Sequence, residues 1–305
     1  MREKREAKNL AIVRNSLLAK RPKSKKVLQQ WIEAFLNVKI QNRVLTDGHN
    51  SPMDYLWYSF NSDFLKKKLP NADCIVWANR GGGKTELSGI ITLLDCIFKP
   101  NIQIRILSGS GYQAGRMYAY FYDFLQLGFM ELVANIIKSP TDKAIFKNGA
   151  TVEVIKQSET NVRGTHVHKL RCDEVELFRP RVFEAAQYTT MSTLNYTASL
   201  ECISTMHRRY GLMKKLIKES VKIKRPVFKW NIWDVIERCK GRDCSDCPLD
   251  EYCEGKAKKG TGYYKIDDVI SQLLRTSQQS FILEMLCGES GKKKSEGFRF
   301  KERLY

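Results

Sequence analysis

Apolar residues first recur at helical spacing in residues 27–38, VLQQWIEAFLNV. Ser51-Pro52 then reads as an N-cap followed by proline at the first helical position, strengthened by Asp54. The helix it opens runs on through Leu56, Trp57 and Phe60. A short unbroken apolar run, Cys74 to Trp77, predicts a buried strand. The glycines after it lead into a helix from Lys84 to about Phe98, closed by Pro100. Residues 103–108, QIRILS, predict a second strand, broken at Gly109–Gly111 before a Tyr- and Phe-rich helix from about Gln113. Two alternating runs in 144–156 are joined by Asn148-Gly149, a pair that tolerates the positive φ of a tight hairpin turn. Further strands are predicted at about 167–172, at 198–204 and at 226–232. Strands alternating with helices predict an α/β fold, a mainly parallel sheet flanked by helices, with binding sites at the carboxyl ends of its strands.

The 305 residues suffice for one large α/β domain with a smaller appendage. They divide into a basic arm and helical subdomain (1–50), an α/β core (51–235) and a Cys-rich insert with a C-terminal helical segment (236–305). No stretch is long and apolar enough to span a membrane, and MREKREAKNL is too charged for a secretory signal, so a soluble cytosolic protein is expected. The net charge of +19 is concentrated. Residues 1–26 hold ten Lys/Arg against two Glu, 207–229 nine against one, and 291–305 six against two. Such clustering suits a polyanionic partner, because each phosphate neutralised releases counterions; a merely solvated arm is the alternative for 1–26.

Residues 78–86, ANRGGGKTE, carry the first candidate chemistry. They fit the phosphate-loop pattern G-x-x-x-x-G-K-[ST], except that Ala78 stands where the first glycine belongs and Arg80 lies inside the loop. Gly81, Gly82 and Gly83 free successive N–H groups to face phosphates, and the following helix adds its positive end. Lys84 would neutralise the γ-phosphate of ATP and the Thr85 hydroxyl would ligate Mg²⁺; Asn79, Arg80 and Glu86 complete the candidate loop. About ninety residues on, Asp173-Glu174 ends a predicted strand. There the aspartate can hold Mg²⁺ and the glutamate can polarise an attacking water, which favours an ATP hydrolase over a small-molecule kinase. Arg163-Gly164 admits two readings, an arginine finger or an ordinary loop arginine. Ser204-Thr205 ends the next strand, where a small polar pair can sense the γ-phosphate.

The ordered set ANRGGGKTE, SGSGYQAGRMYAYF, KNGATVEVI, NVRGTHVHKLRCDE and CISTMH resembles the ATPase half of the large terminase subunits of tailed bacteriophages, over about residues 50–300. The resemblance implies an ASCE P-loop fold with a small helical subdomain. It implies Arg80 engaging the phosphates, Asp173 on Mg²⁺, Glu174 as catalytic carboxylate, Arg163 reaching a neighbour's site and Ser204-Thr205 as coupling motif. The family's variant loop does not demand the first glycine. The implied activity is ATP-driven translocation of double-stranded DNA into a procapsid, by a homo-oligomeric ring docked on the portal protein, with a small terminase subunit as partner. The implied setting is the cytoplasm of an infected bacterial host. Many members add a nuclease domain, which would begin near EGFRFKERLY, and no nuclease activity is expected of this chain. A single-strand helicase or remodelling ATPase, and a non-catalytic nucleotide-dependent assembly module, are the other classes considered. The first of these is disfavoured by the lack of downstream helicase motifs.

Nine cysteines fall into two sets. Cys74, Cys96, Cys172, Cys202 and Cys287 have apolar neighbours and read as core residues. Cys239, Cys244, Cys247 and Cys253 give C-x4-C-x2-C-x5-C, for which a structural Zn²⁺, a [4Fe–4S] cluster and disulfides are the readings.

Overall fold

The computed structural model describes residues 20–62, 72–109, 111–137, 142–155, 158, 162, 166–208 and 210–288. Arg163 and Gly164, most of the basic arm and the final basic segment lie outside them.

One eight-stranded sheet organises the chain: β1 Cys74–Ala78, β2 Gln103–Ser108, β3 Val133–Ile137, β4 Lys143–Phe146, β5 Thr151–Ile155, β6 Lys169–Asp173, β7 Ser199–Ser204 and β8 Val227–Trp230. Its order is β3-β4-β5-β2-β6-β7-β1-β8. The six strands from β5 to β8 pair in parallel; the β4–β5 hairpin and β3 add an antiparallel edge. Strands β1, β6 and β7 are buried at every position, as expected where helices cover both faces of a parallel sheet. Strand β7 intervenes between β1 and β6. This is the arrangement of P-loop NTPases with an additional strand between the loop strand and the acidic strand. In register, Trp77 faces Ser204 and Ile203 faces Asp173, which brings three carboxyl ends together.

Helix α1 (Lys25–Leu36) is capped by Ser24, whose Oγ accepts from Val27 N. Its Trp31 lies 5.6 Å from Phe98 and 5.8 Å from Phe129, ring to ring, so this helix shares the main hydrophobic core rather than standing apart. Helix α2 (Pro52–Asn61) opens on a capping box: Asp54 N bonds back to Ser51 Oγ while Asp54 Oδ2 accepts from Ser51 N. Helix α3 (Lys84–Phe98) follows the phosphate loop. Helix α4 (Gly111–Gln126) crosses it where Gly89 has no room for a side chain; a Cβ there would lie 2.8 Å from that of Tyr120. Helices α5 (Pro180–Ala186), α6 (Leu212–Ile223), α7 (Ile266–Arg275) and α8 (Gln278–Glu284) follow. Phe281 and Met285 join the same core as Leu28 and Trp230.

Beneath the sheet lies a buried ionic network. On α3, Asp95 pairs with Lys99 at 2.6 Å and with Arg171 of β6 at 2.5 Å. Lys169 of β6 approaches it at 3.3 Å. Arg171 Nε also meets Glu201 of β7 at 3.2 Å, and Glu201 accepts from Tyr55 and Ser59 of α2. All five charged side chains are excluded from water, three cations against two carboxylates. Burial alone would raise the Asp95 pKa, but Lys169, Lys99 and Arg171 outweigh it and hold the carboxyl well below its ordinary range. Charges at this depth persist only as a set. This set fastens the loop helix, the strand that ends at Asp173 and the strand that ends at Ser204.

Candidate nucleotide site

Ala78 is the last residue of β1, fully buried and paired with Trp230 of β8. A strand residue needs no positive φ, so alanine fits where the loop pattern asks for glycine. The turn itself lies in Asn79–Gly83. Gly81 and Gly83 have φ of 70° and 77°, and Gly83 caps α3. At Gly82 the constraint is space: a Cβ would fall 2.5 Å from Asn79 Oδ1 and 3.0 Å from Trp230 Nε1. Trp230 Nε1 also donates to Gly82 O at 2.9 Å, fixing the loop from the sheet side.

Lys84 is buried, and its Nζ donates to Asn79 O at 3.0 Å and to Thr205 Oγ1 at 2.7 Å. The lysine thus curls under its own loop and touches the pair predicted to sense phosphate. Thr85 Oγ1 donates to Asp173 Oδ2 at 3.0 Å. One hydroxyl and one carboxylate side by side fit Mg²⁺, which takes few protein ligands and completes its shell with phosphate oxygens and water. Burial first, and then the neighbouring Glu174 charge, push the Asp173 carboxyl up to about 7. Glu174 takes a left-handed backbone, φ 52°, at the turn out of β6. Ser204 Oγ donates to its Oε2 at 3.0 Å, and His207 Nε2 lies 3.6 Å from the same oxygen. Burial works against its ionisation, but His207, the Lys84 charge and Ser204 prevail and hold it at about 2. The two adjacent carboxyls are therefore driven apart, one poised to lose a proton and one ionised throughout the physiological range.

Arg80 extends away from the loop and is largely exposed. Its guanidinium donates to Glu284 Oε2 at 2.8 Å, and its backbone N donates to Glu284 O at 2.8 Å. His207 Nδ1 lies 3.7 Å from that same Glu284 oxygen, so Arg80, Glu284, His207 and Glu174 form a line across the mouth. Two clefts of about 460 and 480 Å³ open on the loop, sharing Gly82, Gly83, Glu86 and Tyr263. The first adds Lys84, Thr85, Arg116, Glu174 and His207; the second is lined by Val38–Gln41, Pro52 and Thr261. Tyr263 stands between them and donates to Gly81 O at 3.1 Å.

The fold thus brings Asn79–Glu86, Asp173, Glu174, Ser204 and Thr205 together, with Arg163 outside the described residues. Glu284 and Tyr263 had no motif to announce them, whereas His207 closes the CISTMH stretch but had been given no role there. The five scattered cysteines are all buried, in keeping with core positions. Cys239, Cys244, Cys247 and Cys253 are free thiols around one small cavity. Among the described residues no three His, Cys, Asp or Glu side chains are arranged to hold a metal, so the expected Zn²⁺ or iron–sulfur centre has only its sequence spacing. No helix among them is long and apolar enough to cross a membrane.

No family model matches the chain, and no curated protein matches it either. Among solved structures it is similar to the large terminase of bacteriophage HK97: 17% identity, TM-score 0.57, over 84% of this chain and 54% of that one. It thus spans about half the length of that terminase and shares its fold. The ATPase domain of the large terminase of Thermus phage P74-26 matches at 16% identity and TM-score 0.46, over 72% of this chain and 88% of that one. The large terminase of the thermophilic bacteriophage D6E in complex with ADP matches at 13% and 0.44, over 58% and 44%.

Proposed function

We propose that this chain is the ATP-hydrolysing motor half of a phage large terminase, driving double-stranded DNA into a procapsid. The observation that supports this most is the convergence of Lys84, the Thr85–Asp173 pair and an ionised Glu174 at neighbouring carboxyl ends, with β7 between the loop strand and the acidic strand. In this reading the first cleft takes the triphosphate and Mg²⁺, and the second takes the nucleoside, with Tyr263 between. Lys84 leaves Thr205 to meet the γ-phosphate, and Arg80 exchanges Glu284 for phosphate oxygens. Glu174, held by Ser204 and His207, orients and deprotonates water for in-line attack. Thr205, freed of Lys84, reports the change to β7. Arg163 serves as the finger on a neighbouring subunit of a homo-oligomeric ring on the portal, with the small terminase subunit delivering DNA in the host cytoplasm.

The test is ATP turnover with and without duplex DNA and portal-bearing procapsids. The expected result is turnover raised by procapsids with DNA. Turnover unaffected by either removes the motor reading, and unwinding of a forked duplex by the chain alone favours a helicase.

A further inference from the structure

Of the three basic segments in the sequence, one is described almost whole. The described end of the N-terminal arm is committed to structure: Arg21 lies 4.4 Å over the Phe60 ring and donates to Phe60 O, while Lys25 pairs with Asp54. Helix α6 is different. Its inner face, Met213, Leu216 and Ser220, is buried against β1 and the turn at 175–177. Its outer face carries Lys215, Lys218 and Lys222, all exposed, at intervals of three and four residues. That spacing puts them in one stripe about 10 Å long. Glu219, 3.9 Å from Lys215, is the one carboxylate on the helix; Lys218 and Lys222 have none within ion-pair distance among the described residues. Arg208 and Lys224 extend the exposed charge at either end.

The stripe is also tied to the nucleotide site. Glu176 Oε2 accepts from Met213 N at the first turn of α6, and a Cβ on Gly211 would fall 1.7 Å from the other oxygen of that carboxylate, so the contact is tight. Glu176 N donates to Ser204 Oγ, which donates to Glu174. Three hydrogen bonds, passing through Glu176 and Ser204, therefore separate the first turn of the lysine helix from the carboxylate assigned to hydrolysis.

We propose that the Lys215–Lys218–Lys222 stripe of α6 is the surface that holds the phosphate backbone of duplex DNA, an inference that rests on the motor reading above. Phosphates of one strand advance about 3.4 Å along the duplex axis, so a stripe of about 10 Å faces some three of them. Lysine contacts to phosphate carry no sequence information, which suits a protein that must move along any sequence. A membrane surface fits less well, since the helix buries Met213 and Leu216 in its own fold and leaves Val221 and Ile223, both at its C-terminal end, as its exposed apolar residues.

The experiment is anisotropy of a labelled mixed-sequence duplex titrated with the protein at several salt concentrations. Lys215→Gln, Lys218→Gln and Lys222→Gln are combined in one variant, and the matching Lys→Arg triple is made as the charge-preserving partner. With about 0.9 counterions released per phosphate contact, the Gln triple should lower the slope of log K against log salt by about 2.7. Between 50 and 200 mM salt the wild type then loses about 40-fold more affinity than the variant. The Arg triple should bind as wild type. A control triple, Lys256→Gln, Lys258→Gln and Lys259→Gln, removes equal charge elsewhere and should keep the slope. Equal slopes for wild type and the α6 Gln triple, or equal losses for both Gln triples, overturn the α6 assignment alone. Absence of duplex binding by the wild type, or preference for anionic vesicles over duplex, overturns it together with the motor reading.

Discussion

Replacing Glu201 by glutamine tests whether the buried network holds the nucleotide site in shape. The change preserves volume and removes one charge at a position fully excluded from water. Three buried cations, Lys99, Lys169 and Arg171, would then share the single carboxylate of Asp95. Leaving a buried ion without its partner costs about 3–5 kcal/mol. At about 2 °C per kcal/mol for a chain of this size, thermal unfolding should fall by roughly 6–10 °C. Adding Arg171→Met restores the original excess of one positive charge, so the double variant should be less destabilised than the sum of the single changes. The assay is a double-mutant cycle by thermal and urea unfolding. Strict additivity would refute the claim that charge balance governs the site. Acid gives a second handle. The Glu201 and Asp95 carboxyls are both held below their ordinary values, so their contribution is complete above the unfolded values of 4.5 and 3.8. It is lost as pH falls through the lower folded values, and the Glu201→Gln protein should lose less stability over that range than wild type.

Three further outcomes follow from the site. Glu174→Gln should retain nucleotide affinity while turnover drops about 10²- to 10⁴-fold, read by single-turnover hydrolysis beside equilibrium binding; wild-type turnover would remove Glu174 from the chemistry. Gly82→Ala places a methyl 2.5 Å from Asn79 Oδ1 and should weaken nucleotide binding with little change in melting temperature, measured by fluorescent-nucleotide titration. Because burial and the Glu174 charge push the Asp173 carboxyl up to about 7, binding of Mg²⁺ with nucleotide should expel protons near neutral pH, and fewer as pH rises above that value. Calorimetry in buffers of different ionisation enthalpy measures that release, and a buffer-independent heat at pH 7 contradicts it.

The elements that bear the site were legible because their signals are local. The helix Lys84–Phe98 has the predicted bounds, and strands β1, β2, β6 and β7 fall within two residues of theirs, since continuous apolar runs, glycines and Pro100 mark their ends. Helix α6 was noticed for its charge and not its periodicity. Strand β3 was missed because its exposed edge, VANII, lacks the buried face that produces alternation. What sequence could not convey is which distant residues close on the loop. Glu284 lies 204 positions from Arg80, and Tyr263 lies 182 from Gly81. Such pairs arise from the path of the chain, and nothing at either end advertises the other. The buried network was illegible for a related reason: Lys169, Arg171 and Glu201 sit on strands where surface charge would be the ordinary assumption.

The loop at 79–83 is finished by side chains that the ribosome makes much later. Trp230 braces it from β8, Tyr263 walls it, and Glu284 holds Arg80. A nascent chain that has just exposed its glycines therefore possesses the letters of a nucleotide site without the site. Contacts so distant along the chain form late, because loop-closure entropy must be met before they reward the chain. Competence to bind nucleotide should consequently arrive only once the chain has been made past residue 284. A chain stopped before that residue would carry the glycines of the loop without the contacts that fix them.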